Sequence, residues 1–403
     1  MVGAILVAVL LPWLVASALN PSDADLIRNT MLANGVAILC GYYMYQSVTI
    51  YPGVQASYFI LPTFSAAYAL VILGLLFSRL HYNRIYLAVG FALCLIWYYG
   101  VTLLAQRRQP LRIAVVPFGE MQALYEIKRV NWLRLDAPDS AQAGACDALV
   151  ADFRADLPDE WERFLADATL AGLAVLHVKE LRESLTGRVQ IDHLSENNFG
   201  SLIPDHAYLR VKQVVDFVTA LIMIVLLSPF LVIVAAAIRL DSSGPALYRQ
   251  KRVGYAGRVF TVYKFRTMRH APSEQSDRRM AITEDDDPRV TRLGRFLRRS
   301  RIDELPQLIN ILRGEMSWIG PRPEAQILSE WYEQEIPFYR YRHIVRPGIT
   351  GWAQVNQGHV AEVGEVFGKL QYDFYYIRRF SPWLDALIVA RTILTMASGF
   401  GSR

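Results

Sequence analysis

Five apolar stretches decide most of what this chain can become. A helix needs about 20 mostly apolar residues to cross roughly 30 Å of hydrocarbon. Val2 to Leu19, Met31 to Ile50, Tyr58 to Phe77 and Ile85 to Leu104 all approach that length, and the fifth stretch covers about 213–240. No Lys or Arg precedes the first stretch and no small-residue cleavage site ends it, so it reads as a span and not as a signal peptide. Four spans before residue 106 return the chain to the side on which it began. Arg107, Arg108 and Arg112 crowd the exit of the fourth and place that side in the cytoplasm, with the loop containing Asp23 and Asp25 outside. Arg79 and Arg84, between the third and fourth stretches, run against this orientation.

Composition agrees with a bilayer setting. Of 403 residues, 53% are hydrophobic and only 20% charged, which disfavours a purely cytosolic enzyme and excludes a disordered chain. The net charge of +5 then points to anionic headgroups or phosphorylated substrates, with no call for nucleic acid. Cys40 and Cys94 lie in apolar runs and Cys146 is isolated, so neither a disulfide framework nor a thiolate zinc site is indicated.

From Leu111 the pattern changes to short β-branched runs between helical segments: strands at Ile113 to Val116, Ala148 to Phe153 and Leu173 to Val178, and a connecting helix at Glu160 to Thr169. This is a small α/β, Rossmann-like module over 107–205. A dinucleotide site would need several glycines after the first strand, and only Gly119 follows it, so the module lacks the dinucleotide fingerprint.

The fifth stretch differs from the others because both its flanks are basic: Arg210 and Lys212 before it, Arg239, Arg249, Lys251 and Arg252 after it. A through-span satisfies only one such flank. Ser228-Pro229 lies near its middle, where proline removes a backbone donor and a serine hydroxyl can serve the freed carbonyl. The favoured reading is a re-entrant helix that bends at Ser228-Pro229 and returns to the cytoplasmic face; the alternative is an ordinary span with a proline kink. Near the C-terminus, Trp383 to Met396 reads either as a helix in the headgroup plane or as an amphipathic core helix.

The densest local chemistry is Arg298-Arg299-Ser300-Arg301-Ile302-Asp303-Glu304-Leu305-Pro306-Gln307. Pro306 suits a first helical turn, so Asp303 and Glu304 stand at or beside a helix N-terminus, where free amides favour a phosphate. Taken alone, such a pair is more often a cap and a solvated charge. Adjacent helical residues diverge by about 100°, so the two carboxylates can hold different roles, one attacking and one holding a metal. Basic turns elsewhere, at Lys264-Phe265-Arg266, Gly320-Pro321-Arg322-Pro323 and Arg346-Pro347-Gly348, could line a pocket for a nucleoside diphosphate.

These motifs, together with Gln250-Lys251-Arg252-Val253-Gly254 and Asp287-Pro288-Arg289, give the region from about Tyr208 onward a dense resemblance to the bacterial sugar transferases, the monotopic phosphoglycosyl transferases. Four spans, an α/β module and this region together resemble the large subgroup that includes undecaprenyl-phosphate glucose and galactose 1-phosphate transferases. The chain is shorter than many of these, mainly in the α/β module. The resemblance implies a membrane α+β protein in three parts: four transmembrane helices over 1–106, a cytoplasmic α/β module over 107–205, and a monotopic catalytic domain over 206–403. It implies transfer of a sugar 1-phosphate from a UDP-sugar to undecaprenyl phosphate, releasing UMP, on the cytoplasmic face of the bacterial inner membrane, as the first membrane step of exopolysaccharide, capsule or O-antigen synthesis. Asp303 would be the nucleophile, Glu304 the ligand of Mg2+, and Lys264, Arg266, Arg289 and Arg322 would hold phosphate charge. Ser228 and Pro229 would shape the re-entrant bend. Homodimerisation is left open. The competing classes are a membrane-anchored sensor or scaffold of polysaccharide assembly, and a glycosyltransferase that extends an existing lipid-linked sugar.

Overall fold

The computed structural model describes residues 1–19, 24–49, 57–108, 111–128, 130–189, 204–269, 289–336, 338–357 and 363–398. Asp23 and the Asp287-Pro288 pair lie outside the described residues. The chain divides into two compact units, Met1–Gly187 and Arg188–Arg403.

In the first unit, helices fill the four expected apolar stretches: Val2–Ile5 and Leu11–Leu19 joined by a π turn at Leu6–Leu10, then Ala24–Thr49, Ser57–Phe77 and Arg84–Arg108. Among the described residues of this unit, Phe59–Phe77 and Arg84–Thr102 are long and apolar enough to cross a membrane, whereas Val2–Val15 is apolar but shorter. Ala24–Thr49 is diluted by Asp25, Arg28, Asn29 and Asn34. Length and apolarity alone therefore yield fewer than the four expected spans. Asn34 finds its partner inside the helical cluster, accepting from the Tyr68 hydroxyl at 2.9 Å. Gly90 is the residue that lets the neighbouring helix approach it, since a Cβ there would stand 2.3 Å from Asn34 Oδ1.

The α/β module of this unit is a parallel four-stranded sheet in the order β2-β1-β3-β4, with β1 Leu111–Val115, β2 Val130–Arg134, β3 Ala148–Ala151 and β4 Ala174–His177. Ile113, Val115 and Val150 pack on one face with Leu124 and Leu181, and Ala114, Val116 and Leu149 on the other with Trp161 and Phe164. Burial on both faces explains the continuous apolar runs of Ile113–Val116 and of β3. Strand β2 escapes sequence reading because it is an edge strand of mixed polarity, Val-Asn-Trp-Leu-Arg, mostly exposed. Gly119 has φ +82°, and a Cβ there would collide with the Asp152 side chain. The Glu120 amide donates to Asp152 Oδ2 at 3.1 Å, so a carboxylate occupies the loop position at which a pyrophosphate would need bare amides.

The second unit is organised on one helix, His206–Asp241, 36 residues and about 54 Å long. Pro229 does not end it. The Ser228 hydroxyl donates to the Val225 carbonyl at 2.9 Å, the acceptor left without a donor by the proline nitrogen. The expected bend at Ser228-Pro229 is thus not a break in the helix; the serine compensates within the turn. Lys212, Asp216, Ala220, Val234 and Ile238 are the buried positions, and at about 100° per residue they share roughly an 80° sector. The stripe keeps its phase across Pro229. Ala220 packs with Val262, Leu308 and Ile311, while Val234 and Ile238 pack with Phe265 and Leu297. The opposite face, including Val214, Val218, Val225 and Val232, is apolar and exposed.

Against this helix stand an antiparallel hairpin, β5 Leu247–Val253 and β6 Val259–Phe265, and a parallel pair, β7 Ser317–Ile319 and β8 Gly348–Thr350. The closing helix Pro382–Ser398 turns Leu384, Leu387 and Ile388 inward and leaves Val389 and Ile393 exposed. Near β7 and β8 the main chains come so close that a Cβ on Gly348 would sit 2.1 Å from the Gly320 nitrogen and 2.5 Å from the Thr350 carbonyl oxygen. Gly348→Ala must push these backbones apart, and we expect it to destabilise the protein by about 3 kcal/mol, read as a lower unfolding midpoint in detergent.

Candidate active site

The site is built where β6 ends beside a tight turn. Alternation along β6 puts Lys264 and Tyr263 on opposite faces; Tyr263 takes a hydrogen bond from Arg313 at 2.9 Å, and Lys264 reaches the turn at Ile302–Gln307. Helix Arg292–Arg299 leads into that turn, capped by the Thr291 hydroxyl, which accepts from the Gly294 amide at 2.8 Å. Gly294 permits the helix to lie against the end of β6, since a Cβ there would be 2.0 Å from the Thr267 carbonyl oxygen. Arg301 then adopts a left-handed conformation, φ 59°, which redirects the chain. Asp303 and Glu304 follow in the first turn of a six-residue 3-10 helix, Ile302–Gln307, that runs into the short helix Leu308–Leu312. The carboxylates thus stand at a helix N-terminus as expected, one of 3-10 type, and the positive charges acting on them come from Lys and Arg side chains.

Glu304 is 4% exposed. Its Oε1 accepts from Arg322 Nη2 at 2.8 Å and from Lys264 Nζ at 3.1 Å, and Arg301 Nη1 stands 3.6 Å from Oε2. Burial alone would raise its pKa, but the charges of Arg322, Lys264 and Arg301 outweigh burial and hold the carboxyl well below the ordinary range. Asp303 has the opposite fate. Burial, reinforced by the Glu304 charge, pushes it up to about 6 despite Lys264, Arg322 and Arg298. Among the described residues, no hydrogen bond or ion pair engages its carboxylate. Burial pushes Lys264 down to about 8 against the pull of Glu304, so it is mainly a cation at neutral pH. Two neighbouring carboxyls thus differ in kind: one clamped and ionised, the other half-buried and unclamped.

Glu304 is the residue of this site that could hold a divalent cation. Glu304 Oε2 is buried without a hydrogen-bond partner, so it has lone pairs to offer. No group of three or more His, Cys, Asp or Glu side chains able to hold a metal occurs among the described residues. A single carboxylate is a donor that Mg2+ can use, its remaining oxygens coming from phosphate and water.

Asp303, Glu304, Lys264 and Arg322 are brought together as expected. Arg266 is engaged elsewhere: Nη1 donates to the Ser243 carbonyl at 2.8 Å, and Nη2 to the Ser242 carbonyl at 2.6 Å and its hydroxyl at 3.0 Å. It caps the C-terminal end of helix His206–Asp241, which leaves its terminal nitrogens occupied and takes it out of the expected phosphate contact. Arg289 sits in the turn before Val290, its carbonyl accepting from the Arg269 amide at 2.9 Å, and is not one of the cations on Glu304. Three residues within recognised motifs had no role assigned from sequence. Arg301 faces Glu304; Arg298, whose charge lowers the Asp303 pKa, donates to the Thr267 hydroxyl at 2.9 Å; and Arg252 bonds the Pro323 carbonyl. Only the arginine density around Asp303 hinted at the first two.

A helix long and apolar enough to cross a membrane, beside a cationic, carboxylate-bearing site, is what an enzyme handling phosphate at a lipid surface would need. Residues 207–399 match the bacterial sugar transferase family. The chain is 45% identical over 382 residues to the UDP-N-acetylgalactosamine-undecaprenyl-phosphate N-acetylgalactosaminephosphotransferase of Aeromonas hydrophila, covering 94% of this chain and 89% of the relative. It is 43% identical over 192 residues to the UDP-glucose:undecaprenyl-phosphate glucose-1-phosphate transferase of Escherichia coli (strain K12), a match covering 47% of this chain and 40% of the relative. It is also 40% identical over 200 residues to the exopolysaccharide production protein PSS of Rhizobium leguminosarum bv. phaseoli, covering 48% of this chain and 99% of that relative. The chain belongs to the bacterial sugar transferase family. Lys264→Met would leave Glu304 with one bonded cation instead of two, and we expect about 2 kcal/mol of lost stability in thermal unfolding of the purified protein.

Proposed function

We propose that the protein transfers a sugar 1-phosphate from a UDP-sugar to undecaprenyl phosphate in two displacements at one phosphorus. The observation that carries this reading is the unlike pair, an unclamped Asp303 beside a Glu304 fixed by Lys264 and Arg322. An Asp303 oxygen attacks the phosphorus bearing the sugar. The bond to the bridging oxygen breaks, UMP departs with that electron pair, and an acyl phosphate remains on Asp303. A phosphate oxygen of undecaprenyl phosphate then attacks the same phosphorus and displaces the aspartate, which recovers its carboxylate. Lys264 and Arg322 balance charge that migrates between these oxygens, pre-oriented by their bonds to Glu304. Mg2+ bound at Glu304 Oε2 would supply neutralisation of the diphosphate. The sugar we infer is N-acetylgalactosamine, because the relative matched across nearly the whole chain carries that name.

We further infer that helix His206–Asp241 is re-entrant. Its buried stripe packs on one and the same unit from Lys212 to Ile238, and its outer face is apolar. Both ends therefore belong on the face that carries the site, whereas a through-span would separate them by a membrane. The four N-terminal helices are read as spans, with the second unit at the cytoplasmic face of the inner membrane. Such an arrangement brings a soluble nucleotide and a lipid phosphate to one plane.

A glycosyltransferase extending a lipid-linked sugar would release UDP, so membranes incubated with UDP-sugars and radiolabelled undecaprenyl phosphate should release UMP, fastest with UDP-N-acetylgalactosamine. Asp303→Asn should abolish both UMP release and labelling of the protein by donor alone while the protein still inserts; full turnover in that variant removes the nucleophile assignment. The nucleophile must be ionised. With Asp303 near about 6, activity should fall about tenfold per pH unit below that value, whereas an ordinary aspartate would sustain it to about pH 4. A cysteine placed at Leu240 should be labelled from the cytoplasmic side only; labelling from outside overturns re-entry.

A further inference from the structure

The turn that delivers Arg322 to Glu304 cannot hold itself by backbone bonds alone. Pro321 and Pro323 lack N–H groups, and the four carbonyls from 321 to 324 find their donors in other segments. The Gly348 amide donates to the Pro321 carbonyl at 3.0 Å and the Val253 amide to the Glu324 carbonyl at 3.1 Å. The two carbonyls between them are taken by arginine side chains. Arg342 Nη2 donates to the Arg322 carbonyl at 2.9 Å, and Arg252 Nη1 donates to the Pro323 carbonyl. Buried carbonyls need such partners, and a side chain provides one where no strand lies alongside.

We propose that Arg342 is a positioning residue for the transfer reaction, fixing Arg322 against Glu304 by holding the main chain of the Pro321–Glu324 turn. This rests on the roles given above to Glu304 and Arg322. Arg342 is 3% exposed. Its guanidinium also donates to the Tyr339 hydroxyl at 2.5 Å, pairs with Asp373 at 2.8 Å and stands 3.9 Å from Glu324, itself bonded by Lys369. None of these contacts is to Asp303 or Glu304, so any effect on chemistry passes through the turn. The competing account makes Arg342 only a counterion for two buried acids. The fork separates the accounts: Nη1 bonds the Tyr339 phenol while Nη2 bonds the Arg322 carbonyl and pairs with Asp373, whereas a lysine supplies the same charge from one nitrogen on a shorter side chain.

The experiment measures UMP release by the full-length protein in membranes, from UDP-N-acetylgalactosamine and undecaprenyl phosphate. Arg342→Lys should lower kcat by about tenfold or more with KM for the UDP-sugar changed by less than about threefold, since a misplacement of the order of 1 Å costs rate steeply. In an Arg322→Met background the same change should add no further loss, because the contact it serves is already gone. An undiminished kcat, or an equal loss in both backgrounds, overturns the proposal. If Arg342→Lys does not fold, the paired change Arg342→Met with Asp373→Asn takes its place, because it leaves Glu324 with Lys369 and no buried acid unmatched. Persistent loss of kcat in that pair supports positioning, and recovery to the unmodified rate reduces Arg342 to a counterion. The failure of the functional reading looks different: the unmodified protein would then release no UMP with any UDP-sugar.

Discussion

Glu304 is a carboxylate almost wholly withdrawn from water, and charge at that depth persists only where cations bond it directly. Arg322 and Lys264 both bond one of its oxygens, and much of the second unit exists to bring them there. Lys264 comes from the end of a hairpin, whose position depends on the apolar contact of Val262 with the long helix. Arg322 comes from a turn clamped between β8, Arg252 and Arg342. The other oxygen of Glu304 is left unbonded, and Asp303 is left unclamped. The same cations that stabilise one carboxylate are thus positioned to stabilise charge that develops beside the other.

The long helix joins this site to an exposed apolar face of the kind a bilayer would cover. It presents a narrow buried stripe to the unit and a broad apolar face outward, so the unit packs on it from Lys212 to Ile238. At the N-terminal end the stripe is polar: Lys212 bonds Asp385 at 2.7 Å, and Tyr208 and Tyr376 donate to the same carboxylate at 2.6 and 2.9 Å. Toward the C-terminal end it is apolar, and Arg266 ties off the last carbonyls. A buried polar network at one end accepts few alternative registers, which gives the helix a defined placement and not merely an affinity for the unit.

Much of this was legible one segment at a time. Apolar runs located the long apolar helices because hydrophobic length is a local property, whereas the more polar helix Val363–Arg378 went unread. The α/β sheet was readable at Ile113–Val115 and in β3, whose residues are buried on both sides, and unreadable in β2, where the edge position leaves Asn131 and Leu133 exposed. Ser228-Pro229 announced a disturbance, but whether the helix would end or be repaired depended on one hydroxyl reaching one carbonyl. Arg266 illustrates the opposite failure. In sequence it stands two residues from Lys264, in a motif shared with the family, and nothing local separates a phosphate contact from a helix cap; a carbonyl-rich helix end folded against it makes the difference.

By itself the sequence determined that the chain meets a membrane, that its basic C-terminal half carries an adjacent Asp303 and Glu304, and which motifs mark its family, since all of these are properties of neighbouring residues. Tertiary structure alone decided which cations serve Glu304. Lys264 and Arg322 lie 40 and 18 residues away from it, and no local pattern specifies that both will reach the same oxygen. It also decided that Asp303 and Glu304 titrate in opposite directions, because a pKa depends on burial and on charges gathered from distant segments, and those distances exist only once the chain has folded.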